Sequence, residues 1–201
     1  MVSKNGRQGA ELLAAARRNF IVSGRTPLHF ARLYRAKRRR SREGKKTTTA
    51  AHHAIAELVR AGYIRVIITT NFDRLMENAL REAGVEPTIV SSVDALSGAE
   101  PLTHSTCYLF KLHGEYKDAR ILNTDEELNG YPTQYDALLD RIFDEHGLIL
   151  AGWSGDWDHA LRAAMLRAPN RRYSTFWTTR GAPGSGAQEL IAHRKARQIT
   201  I

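Results

Sequence analysis

From Thr47 onward the chain alternates two hydrophobic periods, and that alternation constrains its fold more than any other feature of its 201 residues. Ala51 to Ala61 puts Ile55, Leu58 and Val59 on one helical face and meets Gly62, a helix stop. Ile64-Arg65-Val66-Ile67-Ile68-Thr69 follows as a short β-branched run, the pattern of a strand covered on both faces. Asp73 to Ala83 is predicted as a helix ending at Gly84, and Thr88-Ile89-Val90 as the next strand. Cys107 to Leu112 and Leu148 to Ala151 are predicted as two further strands. Between them Tyr135, Leu138, Leu139, Ile142 and Phe143 keep helical spacing, bracketed by Pro132 and Gly147. Trp157, Ala160, Leu161, Ala164 and Met165 repeat that spacing. Tyr173 to Thr178 predicts another strand, Gln188 to Arg194 a short helix, and Gln198 to Ile201 a last strand.

Strand and helix in regular alternation predict an α/β fold: a Rossmann-like open parallel sheet with helices on both faces. Residues 1–46 fit this frame poorly and are read as a separate helical, basic segment, with helices over Ala10 to Phe20 and Pro27 to Arg40; residues 47–201 are read as the α/β domain. The sheet is therefore expected to be incomplete at its N-terminal side.

The net charge of +9 is local. Residues 32–46 alone carry nine basic side chains against Glu43, whereas residues 47–201 carry sixteen basic and nineteen acidic. Residues 37–46 could meet phosphates, but no aromatic side chains interleave with them for base stacking, so nucleic acid enters as an added property of that stretch and not as the function. One cysteine excludes an internal disulfide, and no apolar run is long enough to span a membrane. The start of the chain has no signal-peptide core, and a soluble cytoplasmic protein is expected.

Ligands of open parallel sheets bind beyond the carboxyl ends of the strands. Three predicted strands end in polar clusters there: Thr70-Asn71-Phe72-Asp73, His113-Gly114-Glu115, and Gly152-Trp153-Ser154-Gly155-Asp156. Each also has a plain structural explanation. Asn71 or Asp73 can cap the next helix, His113 can be an ordinary loop residue, and Gly152 and Gly155 can be turn glycines with Ser154 or Asp156 as a cap.

Ile68-Thr69-Thr70-Asn71-Phe72-Asp73, Lys111-Leu112-His113-Gly114 and Gly152-Trp153-Ser154, in this order and spacing, resemble the successive motifs of sirtuin-like domains. The resemblance extends especially to bacterial sirtuin-like domains that consume NAD in anti-phage defence, which Phe176-Trp177-Thr178-Thr179-Arg180-Gly181 also resembles. It implies binding of NAD, as substrate, and cleavage of its nicotinamide–ribose bond. It implies catalytic roles for Asn71, at the nicotinamide ribose, and for His113, as general base. Thr70, Asp73, Gly152 and Ser154 are the implied cofactor-binding residues, Asp73 at the nicotinamide carboxamide and Gly152 and Ser154 on the adenosine side. The resemblance also implies further domains or subunits as partners.

The residue types suit the chemistry. Nicotinamide leaves readily from a cationic ring, so orientation and charge stabilisation carry most of the barrier, and a neutral imidazole can accept a proton. No metal is expected: the interval between the His and Gly-Ser motifs has no cysteine, so the four-cysteine zinc module of sirtuin deacetylases is absent. His113-Gly114-Glu115 has no downstream cysteine pair to make a zinc deaminase.

Sirtuin-like domains open with a strand entering a Gly-Ala-Gly turn that cradles phosphates, and no such turn occurs in residues 1–46. Gly184-Ser185-Gly186 is rejected as a substitute, because the third glycine position falls on Glu189. The chain is accordingly expected either to lack its true beginning, with Met1 an internal start, or to be a shortened domain, and in both cases to show weak or no NAD hydrolysis alone. The alternatives are a non-catalytic nucleotide- or partner-binding module and an NAD-dependent protein deacetylase.

Overall fold

The computed structural model describes residues 19–23, 47–115, 130–156, 158–179 and 181–200, the first of these as backbone alone. In chain order the elements are β1 (Asn19–Ser23), α1 (Ala50–Arg60), β2 (Ile64–Thr69), α2 (Leu75–Glu82), β3 (Thr88–Val90) and α3 (Val93–Gly98). They continue with β4 (Tyr108–Lys111), α4 (Thr133–Glu145), β5 (Gly147–Ala151), α5 (His159–Arg167), β6 (Thr175–Thr179), α6 (Ser185–Arg194) and β7 (Arg197–Thr200). The strands form one seven-stranded sheet in the order β3-β4-β2-β1-β5-β6-β7, and every pairing is parallel. The predicted Rossmann-like α/β architecture is the observed one.

Side chains of successive strand residues point to opposite faces, and the two faces have separate cores. Val66, Ile68, Tyr108, Phe110, Leu148, Leu150 and Trp177 pack under α4, α5 and α6. Ile67, Leu109, Ile149 and Phe176 face the other way, against Ala56 and Val59 of α1 and Met76, Ala79 and Leu80 of α2. Fully burying one such large apolar side chain is worth roughly 1.5–3 kcal/mol, so the buried strand runs supply the main driving force for the layered arrangement. Gly62 and Gly84, predicted as helix stops, adopt left-handed φ values of 75° and 78°.

The main difference from the sequence reading is β1. The helix expected over Ala10 to Phe20 gives way at its end, where Asn19 and Phe20 are strand residues. Asn19–Ser23 pairs with β2 on one side and β5 on the other, so it occupies the middle of the sheet although it precedes residue 47. An apolar run of only Phe20-Ile21-Val22, entered from an Ala-rich stretch, is too short for periodicity to separate strand from helix. The remainder of that predicted helix, the one over Pro27 to Arg40 and the basic stretch 37–46 lie outside the described residues.

Smaller differences are local. The helix α3 was not expected; it is short, buries no residue fully, and is capped by Ser92, whose Oγ accepts a hydrogen bond from Ala95 N at 3.0 Å. Gly147 opens β5 instead of closing the preceding helix. The chain runs from β1 outward through β2 to β3 and β4, then crosses to β5 and outward to β7. The switch point thus lies between β1 and β5, the place where such sheets leave a crevice at their carboxyl ends.

Candidate functional site

Beyond β2 the chain turns sharply through Thr70, Asn71, Phe72 and Asp73. Asn71 N donates to Thr69 Oγ1 at 3.1 Å, and Leu75 N donates to Asp73 Oδ1 at 3.4 Å as α2 begins. Thr70 and Phe72 are buried, and Asn71 and Asp73 are half-buried. Asn71 and Asp73 help line a small pocket whose other walls include Thr69, Glu77, Lys111 and His52. The helix-start role weighed for Asp73 is thus real and coexists with a place on the pocket wall.

Beyond β4, Leu112 N donates to Thr69 O at 3.0 Å and extends the ladder by one residue. Gly114, at φ 82°, then turns the chain just after His113, its N donating to Lys111 O at 3.2 Å. His113 Nε2 lies 2.9 Å from Asp158 Oδ2, and Tyr131 Oη donates to both carboxylate oxygens of Asp158 at 2.9 and 3.0 Å. Asp158 Oδ1 also accepts from Leu161 N at 2.9 Å and so caps α5. The His113 and Asp158 side chains are only 11% and 5% exposed. Burial, then the neighbouring Asp158 charge, holds the Tyr131 hydroxyl pKa well above its usual value, so it remains a donor.

An ionised carboxylate can only accept, so the contact with Asp158 places a ring proton on His113 Nε2 and leaves Nδ1 as the ring nitrogen turned away from Asp158. The Phe72 ring sits 5.9 Å from the His113 ring, centroid to centroid. The loops after β2 and β4 and the segment after β5 therefore meet around this histidine. Strands β4 and β5 are separated by β2 and β1, roughly 14 Å at the usual spacing, and the loops lean together to close that gap.

Beyond β5, Gly152 has φ 72° and Trp153 stacks on Trp177 with ring centroids 5.8 Å apart. Ser154 Oγ accepts from Asp156 N at 3.3 Å, a bond within its own loop. Asp156 Oδ1 accepts from Gly186 N at 3.2 Å in the first turn of α6. The partial positive charge of that helix start favours the Asp156 carboxylate there. Gly186 has another purpose: a Cβ there would lie 2.6 Å from Gly155 O.

The structure thus groups Asn71 with Asp73 on one pocket wall, and His113 with Phe72 and with the start of α5. Gly152 and Ser154 belong to the adjacent loop, and neither they nor His113 line the Asn71 pocket. Two residues of the site escaped the sequence reading. Asp158 is disguised as a helix cap, a role expected of Ser154 or Asp156, and Tyr131 as a residue leading into Pro132. Among the described residues no three His, Cys, Asp or Glu side chains gather as a metal site, and no helix is long and apolar enough to cross a membrane.

Comparison with curated protein sequences finds no match. Among solved structures, one described as "Structural Basis for the Mechanism and Regulation of Sir2 Enzymes" is 14% identical, covers 94% of this chain and 96% of its own, and superposes with a TM-score of 0.52. Another, described as "The Structural basis for Sirtuin Substrate affinity", is 15% identical over 90% of this chain and 88% of its own, with a TM-score of 0.53. At these identities the likeness is one of fold. The sequence itself matches the family model described as SIR2-like domain over residues 65–199, the greater part of its length. The chain belongs to the SIR2-like domain family.

Proposed function

We propose that this domain binds NAD and hydrolyses its nicotinamide–ribose bond, releasing nicotinamide and ADP-ribose, with His113 as general base and Asn71 placing the attacking water. The observation that carries this reading is the Asp158–His113 pair at the meeting point of three strand-end loops. A buried carboxylate on one imidazole nitrogen directs the other toward substrate and stabilises the imidazolium once it forms. In the reaction water forms a bond to the ribose C1′, the C1′–N bond breaks with its electron pair passing to the pyridinium ring, and the proton of water goes to His113 Nδ1. Proton transfer to a positioned base of this kind is typically worth roughly 10²–10⁴ in rate.

Thr70, Asp73, Gly152 and Ser154 are assigned to holding the substrate, Asp73 at the carboxamide. The reaction requires no metal from these residues. Further domains or subunits as partners, a cytoplasmic location and a role in anti-phage defence extend the same reading. The test is release of nicotinamide from NAD by the purified chain alongside His113→Ala and Asn71→Ala. Activity in the wild type that falls at least a hundredfold in both variants supports hydrolysis. Equal background in all three, with NAD still raising the thermal midpoint, identifies a binding module without turnover.

A further inference from the structure

The lysine of the Lys111-Leu112-His113-Gly114 motif has no part in the chemistry just described, yet it is among the most deeply buried residues of the sheet. Lys111 ends β4 with its side chain 1% exposed, and its ion-pair partner Glu77, on α2, is equally buried at 1%. Lys111 Nζ donates to Glu77 Oε1 at 2.8 Å and to the backbone oxygen of Asp73 at 3.1 Å, and lies 3.6 Å from Glu115 Oε1. Arg74 joins the same two loops a second time through Glu115 Oε2 at 2.6 Å.

Taking an ammonium and a carboxylate out of water costs several kcal/mol each, and a well-packed apolar pair of similar size is often as stable or more so. The remaining contacts are not those of a pair optimised for stability. Glu77 Oε2 is buried with no hydrogen-bond partner. Burial, helped by the neighbouring Glu115 carboxylate, pushes the Glu77 carboxyl up against the pull of the Lys111 ammonium, while at Glu115 Arg74, Lys111 and the contact with Glu77 together outweigh burial and hold the carboxyl below its usual range. What an apolar residue at 111 could not do is hold the carbonyl of Asp73.

We propose that Lys111 is a positioning residue: anchored by Glu77, it clamps the Asn71-Phe72-Asp73 turn to the strand end that carries His113, and so sets the two reacting side chains relative to each other. The catalytic part of this inference rests on the hydrolase reading above. Misplacing a reacting group by about 1 Å can cost on the order of 10²-fold in rate, so a rigid cross-link between the two loops is a large lever.

Two variants separate the clamp from a mere core ion pair. Lys111→Met leaves Glu77 buried and unpaired and lowers the thermal midpoint, whereas Lys111→Met/Glu77→Met restores it to the wild-type value or above. The double variant is read by amide hydrogen exchange at Asn71 and Leu75, whose N–H groups are bonded within the turn, and by nicotinamide release. Exchange at those two amides at least tenfold faster, with β5 and β6 unchanged, and kcat lowered about 10²-fold with KM within about threefold, is the expected result. Wild-type exchange at both amides overturns the clamp, whatever the activity. Faster exchange with an unaltered kcat overturns the catalytic consequence. A wild-type chain no more active than His113→Ala overturns the hydrolase reading, and the exchange measurement still decides whether the clamp exists.

Discussion

Asp158 caps the helix α5 with one carboxylate oxygen, 2.9 Å from Leu161 N, and holds His113 with the other, 2.9 Å from Nε2. One side chain thus ties the orientation of the imidazole to the start of a helix packed against the sheet. The ring belongs to the loop after β4 and the carboxylate to the segment after β5, so this contact joins the two halves of the sheet above the switch point.

The two roles of Asp158 separate by substitution. Asn is as good a helix cap as Asp, so Asp158→Asn is expected to keep the thermal midpoint within a few degrees while nicotinamide release falls by roughly 10²–10⁴. Asp158→Ala loses the cap and also leaves the buried Tyr131 hydroxyl without its acceptor, and is expected to cost about 1 kcal/mol for the cap and about 1–3 kcal/mol for the hydroxyl in chemical denaturation. Equal activity in Asp158→Asn and the wild type would show that the carboxylate serves the helix alone.

Tyr131 is buried and donates to Asp158, with its hydroxyl pKa raised by burial and by the Asp158 charge. A folded-state pKa above the unfolded value of about 10 means that the unfolded chain loses its proton first. This contribution to stability is full below pH 10 and is lost as pH rises toward the folded value. Denaturation midpoints measured between pH 8 and 11 should therefore fall for the wild type, and fall less steeply for Tyr131→Phe. Removing the hydroxyl should also cost about 1–3 kcal/mol at neutral pH, because Asp158 loses a buried donor.

Gly186→Ala would place a methyl group 2.6 Å from Gly155 O, closer than the backbone can accept. The expected cost is about 1–3 kcal/mol, with the Gly152 to Asp156 loop displaced. Urea denaturation measures the first, and a weaker response of the thermal midpoint to NAD checks the second. A variant of wild-type stability would mean that α6 can slide away from the loop.

Cys107 is the single cysteine of the chain and is buried, and burial pushes its thiol pKa up to about 12. At pH 8 the native protein should react with a thiol reagent far more slowly than the same chain in denaturing urea, at a rate limited by opening of the fold. Fast native labelling would contradict the burial of β4 at its start.

The layered parallel fold was legible because each strand from β2 to β6 is a short apolar run between polar turns, and each long helix keeps one apolar face. Asn71, Asp73 and His113 were legible as residues that directly follow such strands. Lys111 stood in the quoted motif without a role, since a charged residue ending a strand is ordinarily solvated and its depth of burial depends on α2 folding over it. Helix α3 escaped because six residues with no fully buried face leave little periodic signal.

Local periodicity and turn chemistry are properties of neighbouring residues, so the sequence alone determined which segments become strands and, apart from α3, helices from β2 onward, and which polar groups stand at the carboxyl ends of the strands. The strand order was decided only in three dimensions, because it depends on which segments distant in sequence find the best-covered neighbours; that is how Asn19–Ser23 came to lie between β2 and β5. The partners of His113 were decided the same way. Tyr131 and Asp158 lie 18 and 45 residues further along the chain, and only the closing of the loops over the sheet brings their hydrogen bonds within reach of the ring.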